Sequence, residues 1–161
     1  MNSMANTVQP VSCCSAFYEQ DWVRHLAGDI FHPGGEDLTQ KTIAAMNLRP
    51  GASIADLGCG TGTSALLLAD KPGLDVNAID LSADNIRRAQ CRLSAETGTA
   101  GTVHFQQADV HQLPFDDGRF DGVLAECTFS LFQHQQAVLA EVKRVLKPSG
   151  RLGITDMAVG G

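Results

Sequence analysis

The chain has 161 residues, 43% of them hydrophobic and 19% charged, which suits one domain with a core of ordinary size. Its 12 Lys and Arg against 18 Asp and Glu give a formal net charge of −6, and without a basic stripe to displace counterions nucleic acid is not the expected partner. No apolar run approaches bilayer length, residues 1–10 lack the basic and apolar parts of a secretion signal, and five cysteines at irregular spacings form no C-x-x-C, so a cytoplasmic protein without disulfides, zinc or a membrane partner is expected.

Residues 1–12 are polar and read as a tail. A helix is expected over 15–27, with Phe17, Trp22 and Leu26 turned inward, followed by the breaker cluster Phe31-His32-Pro33-Gly34-Gly35. A second helix is expected over 36–47, where Leu38, Thr42, Ala45 and Met46 share one face, and Arg49-Pro50-Gly51 stops it. These 51 residues form a tail with cap helices, and 52–161 form the core of the same single domain.

From Ala52 the period changes. Residues 53–57 read as a buried strand ending in a glycine-rich turn, and 63–70 as a short leucine-rich helix. Residues 74–80 form a second strand. Ser82 then caps a helix that carries Asp84 in its first turn and Ile86, Ala89 and Leu93 on one face. Strands are expected over 102–108 and 120–126. Val138, Leu139, Val142, Val145 and Leu146 mark an amphipathic helix, with Lys143, Arg144 and Lys147 as favourable charges at its C-terminus. Lys147-Pro148-Ser149-Gly150 ends that helix, and 151–156 form a fifth strand. The alternation predicts an α/β fold, a doubly wound and mostly parallel sheet of about five strands. Ligands of such sheets bind beyond the carboxyl ends of the strands, where strand order reverses.

Asp56-Leu57-Gly58-Cys59-Gly60-Thr61-Gly62 closes the first strand and opens a helix whose free N–H groups suit an anionic group of a ligand. The dinucleotide pattern G-x-G-x-x-G would need glycine at position 63, where the chain has Thr63, so a nicotinamide oxidoreductase is disfavoured. Asp80, ending the second strand, suits two ribose hydroxyls and repels a 2′-phosphate. Asp109, just past the third strand, is placed to accept from an adenine amino group. Together the three acids favour a cationic ligand.

With Leu113-Pro114-Phe115, Phe120-Asp121 and the run Leu146-Lys147-Pro148-Ser149-Gly150-Arg151-Leu152, residues 54–156 resemble class I S-adenosylmethionine-dependent methyltransferases. The likeness is to the small-molecule branch that includes ubiquinone-pathway and arsenite methyltransferases. It implies a Rossmann-like fold, S-adenosylmethionine as cofactor, and methyl transfer to a small-molecule acceptor. By this resemblance Gly58, Cys59, Gly60 and Gly62 line the methionine part, and Asp56 fixes the loop and faces the amino group. Asp80 binds the ribose, Leu81 packs on the adenine, Asp109 and Val110 frame the base, and Glu126 faces the methionine moiety or the acceptor. Tyr18, His32, Gly34 and Gly35 are candidates for a lid. No residue is singled out as catalytic and none as a metal ligand.

On the acceptor side, Glu126-Cys127-Thr128-Phe129-Ser130 lacks both the N-P-P-[YF] signature of amino methylation and the Pro-Cys signature of cytosine methylation, which again points to a small acceptor. Cys127, with Cys13 and Cys14, admits a metalloid-binding reading, set against that of a small buried residue and a tail. The resemblance also leads one to expect a further helix and an antiparallel hairpin after the fifth strand. Truncation at Gly160-Gly161 would leave that strand as an open edge, suited to a homodimer or a partner subunit. A binding subunit without catalysis of its own, or a truncated methyltransferase, is the alternative function.

Overall fold

The computed structural model describes residues 34–95 and 100–157; the expected first helix lies outside them. Helix α1 (Gly35–Met46) is followed by β1 (Ser53–Leu57), α2 (Thr63–Ala69), β2 (Asp75–Asp80), α3 (Ala83–Ala95) and β3 (Thr102–Gln107). Then come β4 (Phe120–Glu126), a 3-10 turn (Phe129–Leu131), α4 (Gln135–Val145) and β5 (Leu146–Thr155). The strands make one parallel sheet in the order β3-β2-β1-β4-β5. Strand order therefore reverses between β1 and β4, and the crevice above their carboxyl ends is where a ligand site belongs.

Alternation along the strands divides the core into two layers. Ile54, Val76, Ala78 and Leu124 face α1 and α2, meeting Ile43, Met46, Ala65 and Leu68. Ala55, Leu57, Ile79 and Val123 face the other way, onto Phe120, Val138, Val142 and Val145. Helix α1 approaches the sheet closely because Gly122 and Gly153 leave room for Met46: a Cβ on either would stand 2.8 Å from its Cε and 2.9 Å from its Sδ, respectively. Among the described residues no helix is long and apolar enough to cross a membrane.

Two details differ from the sequence expectation. The buried stripe of α1 is Thr39, Ile43 and Met46, displaced by about one residue, because the Thr39 hydroxyl has a buried partner while Leu38 folds back over Gly34. The segment expected to separate α4 from the last strand is already extended: Leu146 pairs with Phe120, and after an irregularity Arg151 pairs with Gly122. Pro148 disfavours helical backbone at Lys147, and α4 stops sooner still, at Val145, with Leu146 already at φ −74 and ψ 137.

Candidate functional site

Asp56 lies on β1 opposite Ala78 of β2 and Leu124 of β4. Asp80 and Glu126 lie two residues further along those strands, so strand alternation puts all three acids on the face that α1 and α2 cover. Glu126 Oε2 accepts from Thr39 Oγ1 at 3.0 Å and from Ser64 Oγ at 2.6 Å, and its Oε1 accepts from Thr155 Oγ1 at 3.3 Å. Asp80 accepts from Gly60 N at 2.9 Å, Ser82 N at 2.8 Å and Asn85 Nδ2 at 3.3 Å, tying the glycine loop to the end of β2. Ser82 also caps α3, as its position suggests, by accepting from Asn85 N at 3.4 Å.

Asp56 is different. It is 2% exposed, and its Oδ2 has no hydrogen-bond partner. Burial, then the charges of Glu126 and Asp80, push its pKa up to about 8. A folded pKa above the unfolded 3.8 means that the native state keeps a proton the unfolded chain has lost. This residue's contribution to stability therefore falls as pH rises from 3.8 to about 8 and levels off beyond it. In urea unfolding, Asp56→Asn is expected to be more stable than wild type at about pH 8 and to lack that part of the decline from about pH 6. Equal slopes in the two proteins would show that Asp56 is ionised in the native state.

Two loop glycines serve opposite purposes. Gly58 has φ +68, and a Cβ there would lie 2.2 Å from Thr128 Oγ1; Gly60 has φ +54, and a Cβ there would meet nothing within 4 Å. The first is required by packing, while the second leaves bare backbone against open space. Gly62 backs onto Phe105, and Arg92 reaches across from α3 to Thr61 O at 3.4 Å and Thr63 Oγ1 at 3.0 Å. Cys59 N donates to Ile79 O at 2.9 Å, and burial, then Asp56 and Asp80, raise its thiol far above the ordinary value.

Asp109 stands on the same border of the sheet but apart from the other acids. Its Oδ1 accepts from His111 N at 2.9 Å and lies 2.6 Å from His111 Nδ1, while His111 Nε2 lies 2.6 Å from Gln133 O. The Gln133 carbonyl only accepts, so Nε2 carries a proton, and the Asp109 carboxylate on Nδ1 favours a second proton on the other side of the ring. The Gln133 carbonyl, then Asp109, raise the His111 pKa; partial burial works against the Asp109 carboxylate, and His111 nonetheless holds it below its ordinary value. Val110 is buried in the second core layer, and Leu81 is 55% exposed directly after Asp80.

On the acceptor side, Cys127 holds φ 49 while its N donates to Thr155 O at 2.8 Å. Burial, then Asp156 and Glu126, raise its thiol pKa. Among the described residues no group of three His, Cys, Asp or Glu could hold a metal ion. Asp156 accepts from Ser130 N at 2.7 Å and Ser130 Oγ at 2.9 Å. Of the lid candidates, Tyr18 and His32 lie outside the described residues, as do Cys13 and Cys14. Gly34 caps α1 with φ 97 and Gly35 begins it.

The sequence reading missed Thr39, Ser64 and Thr155 around Glu126, Thr128 against Gly58, and His111 on Asp109. A helix-start serine two residues after Gly62 was the one local signal for Ser64. The remainder are contacts between distant segments.

The orphaned, buried Asp56 oxygen beside two further carboxylates, and the bare backbone at Gly60, fit a cationic ligand with an amino group. Residues 54–150 match the family model described as a methyltransferase domain. The chain is 35% identical over 124 residues to an O-methyltransferase, resE, of Aspergillus sclerotiorum, covering 77% of this chain and 47% of that one. It spans about half the length of the curated relatives it matches. Among solved structures it resembles the [4+2]-cyclase SpnF, with TM-score 0.70 and 28% identity over 81% of this chain and 47% of that one. It also resembles Haemonchus contortus phosphoethanolamine N-methyltransferase 2 in complex with S-adenosyl-L-methionine, with TM-score 0.73 and 25% identity over 83% of this chain and 31% of that one. The matched segment runs from β1 into β5 and contains Asp56, the glycine turn, Asp80 and Glu126, so the chain belongs to the methyltransferase domain family.

Proposed function

We propose that this domain binds S-adenosylmethionine over β1, β2 and β4 and presents its methyl group to a small-molecule acceptor. The observation that carries the reading is Asp56 Oδ2, buried without a partner beside Glu126 and Asp80: a cationic amino group placed there supplies the missing donor and lowers the cost of ionising Asp56. Asp80 faces the ribose hydroxyls, the exposed Leu81 packs on the adenine, and Asp109 and Val110 frame the base. Gly58, Cys59, Gly60 and Gly62 line the methionine end, with Gly60 giving the closest approach. The bound cofactor supplies a methyl group on a sulfonium, open to in-line displacement. The chain's own residues orient the cation and leave the border formed by Cys127, Thr128, Ser130 and Asp156 to the acceptor, with Gly34 and Gly35 at the head of α1 joining Tyr18 and His32 as cover. Among the described residues Cys59, Cys91 and Cys127 are free thiols, which suits the cytoplasm.

Calorimetry tests the reading: S-adenosylmethionine and S-adenosylhomocysteine should both bind saturably, and titrations with neither signal nor saturation would overturn it. Turnover is then followed as S-adenosylhomocysteine release over a panel of small phenols and amines. The likeness to a chain described as a cyclase favours a second reading, cofactor binding without methyl transfer, which tight binding with no release across the panel would support. The reading extends to association along β5, by a second copy or a partner subunit: no strand pairs with its outer edge among the described residues, and Leu152 and Ile154 there are 38% and 40% exposed. Light scattering is expected to give more than the 17.1 kDa of one chain, and a strictly monomeric species would remove this part.

A further inference from the structure

Thr39 lies on α1, ahead of the segment that matches the family model, and its side chain is buried with no exposed surface. A hydroxyl in a helix commonly bonds the carbonyl one turn back, as Thr42 Oγ1 does to Leu38 O at 2.9 Å. The Thr39 hydroxyl donates across 87 residues to Glu126 Oε2. Ser64 donates to the same oxygen and Thr155 to the other, so Glu126 is held from α1, α2 and β5 at once. Packing alone would be served as well by a valine, which has the same shape and no buried proton to satisfy. The position also opposes Coulomb repulsion. Glu126 adds to the cost of ionising Asp56, and the three hydroxyl donors fix the direction in which the Glu126 carboxylate points.

We infer that Thr39 is a positioning residue, which through Glu126 Oε2 aims that carboxylate at the amino end of the cofactor. This rests on the cofactor reading above. The effect must therefore be confined to ligands that possess an amino acid end. S-adenosylhomocysteine has one; 5′-methylthioadenosine keeps the nucleoside and thioether and lacks it.

The experiment is calorimetry of both ligands against wild type, Thr39→Val and Thr39→Ser. Thr39→Val is expected to weaken S-adenosylhomocysteine roughly five- to tenfold, the scale of one hydrogen bond, and to leave 5′-methylthioadenosine within about twofold. Thr39→Ser, which keeps the hydroxyl, should retain wild-type affinity for both. Equal weakening of both ligands, unchanged S-adenosylhomocysteine binding in Thr39→Val, or no rescue by serine would each overturn the inference. If Thr39→Val does not fold, Ser64→Ala removes the other donor to the same oxygen and should show the same selective loss, its absence counting equally against the inference. A wild-type protein that binds neither ligand defeats the cofactor reading itself, an outcome distinct from all of these.

Discussion

Asp80→Ala is expected to lower affinity for S-adenosylhomocysteine by about 1–3 kcal/mol, roughly five- to 150-fold, because buried polar groups lose their partner. Two losses combine. In the proposed binding mode the ribose hydroxyls lose their acceptor, and the glycine loop loses its tether, since the carboxylate also accepts from Gly60 N at 2.9 Å and Ser82 N at 2.8 Å. Asp80→Asn separates them in part. An amide keeps one oxygen for Ser82 N or for Gly60 N, and its NH2 then opposes the remaining amide donor. Calorimetry on the three proteins measures the effect, and wild-type affinity in Asp80→Ala would show that the ribose lies elsewhere.

The second large effect concerns folding. Gly58→Ala should destabilise the domain by about 2–4 kcal/mol, combining a left-handed backbone cost with overpacking. The backbone part follows from φ +68, and the overpacking part from a Cβ that would stand 2.2 Å from Thr128 Oγ1. Gly58→Ala/Thr128→Ala, which removes Thr128 Oγ1 and Cγ2 and keeps its Cβ at 3.0 Å, should relieve most of the collision and leave the backbone cost. Gly60→Ala is the natural control, since its new Cβ would meet nothing within 4 Å. It should cost only the backbone part and act mainly on ligand binding. Urea unfolding of these variants checks the pair, and a Gly58→Ala protein within about 0.5 kcal/mol of wild type would contradict the packing account.

The ends of the strands were the most legible part of the sequence. Period-2 alternation puts Asp56 in line with Ile54, Asp80 with Ala78, and Glu126 with Leu124; the strand register brings these three to one face, whereas the sequence pattern groups Asp56 and Asp80 with Asp109. The glycine turn is likewise local, because its conformation belongs to its own residues. Asp109 was legible in place but not in company: its carboxylate turns to His111, whose other nitrogen meets Gln133 from beyond β4. The hydroxyls around Glu126 were not legible. Thr39 and Ser64 stand 87 and 62 residues from it, and a threonine on a helix carries no mark of a distant partner. The same contact explains why the buried stripe of α1 runs through Thr39 rather than Leu38. The end of α4 misled in a different way: the apolar pattern carries the helix through Leu146 to the Pro148 breaker, yet the helix ends at Val145 and strand pairing begins at Leu146.

The proposed cofactor site lies over the carboxyl ends of β1, β2 and β4. Titration of the 15N-labelled domain with S-adenosylmethionine, followed through its backbone amides, tests this most directly. Saturable shifts should concentrate at Gly58 to Gly62, Asp80 to Ser82, Asp109 to Val110 and Glu126. An absence of saturable shifts, or shifts gathered at the opposite end of the sheet around Ser53, Asp75 and Asp121, would contradict it.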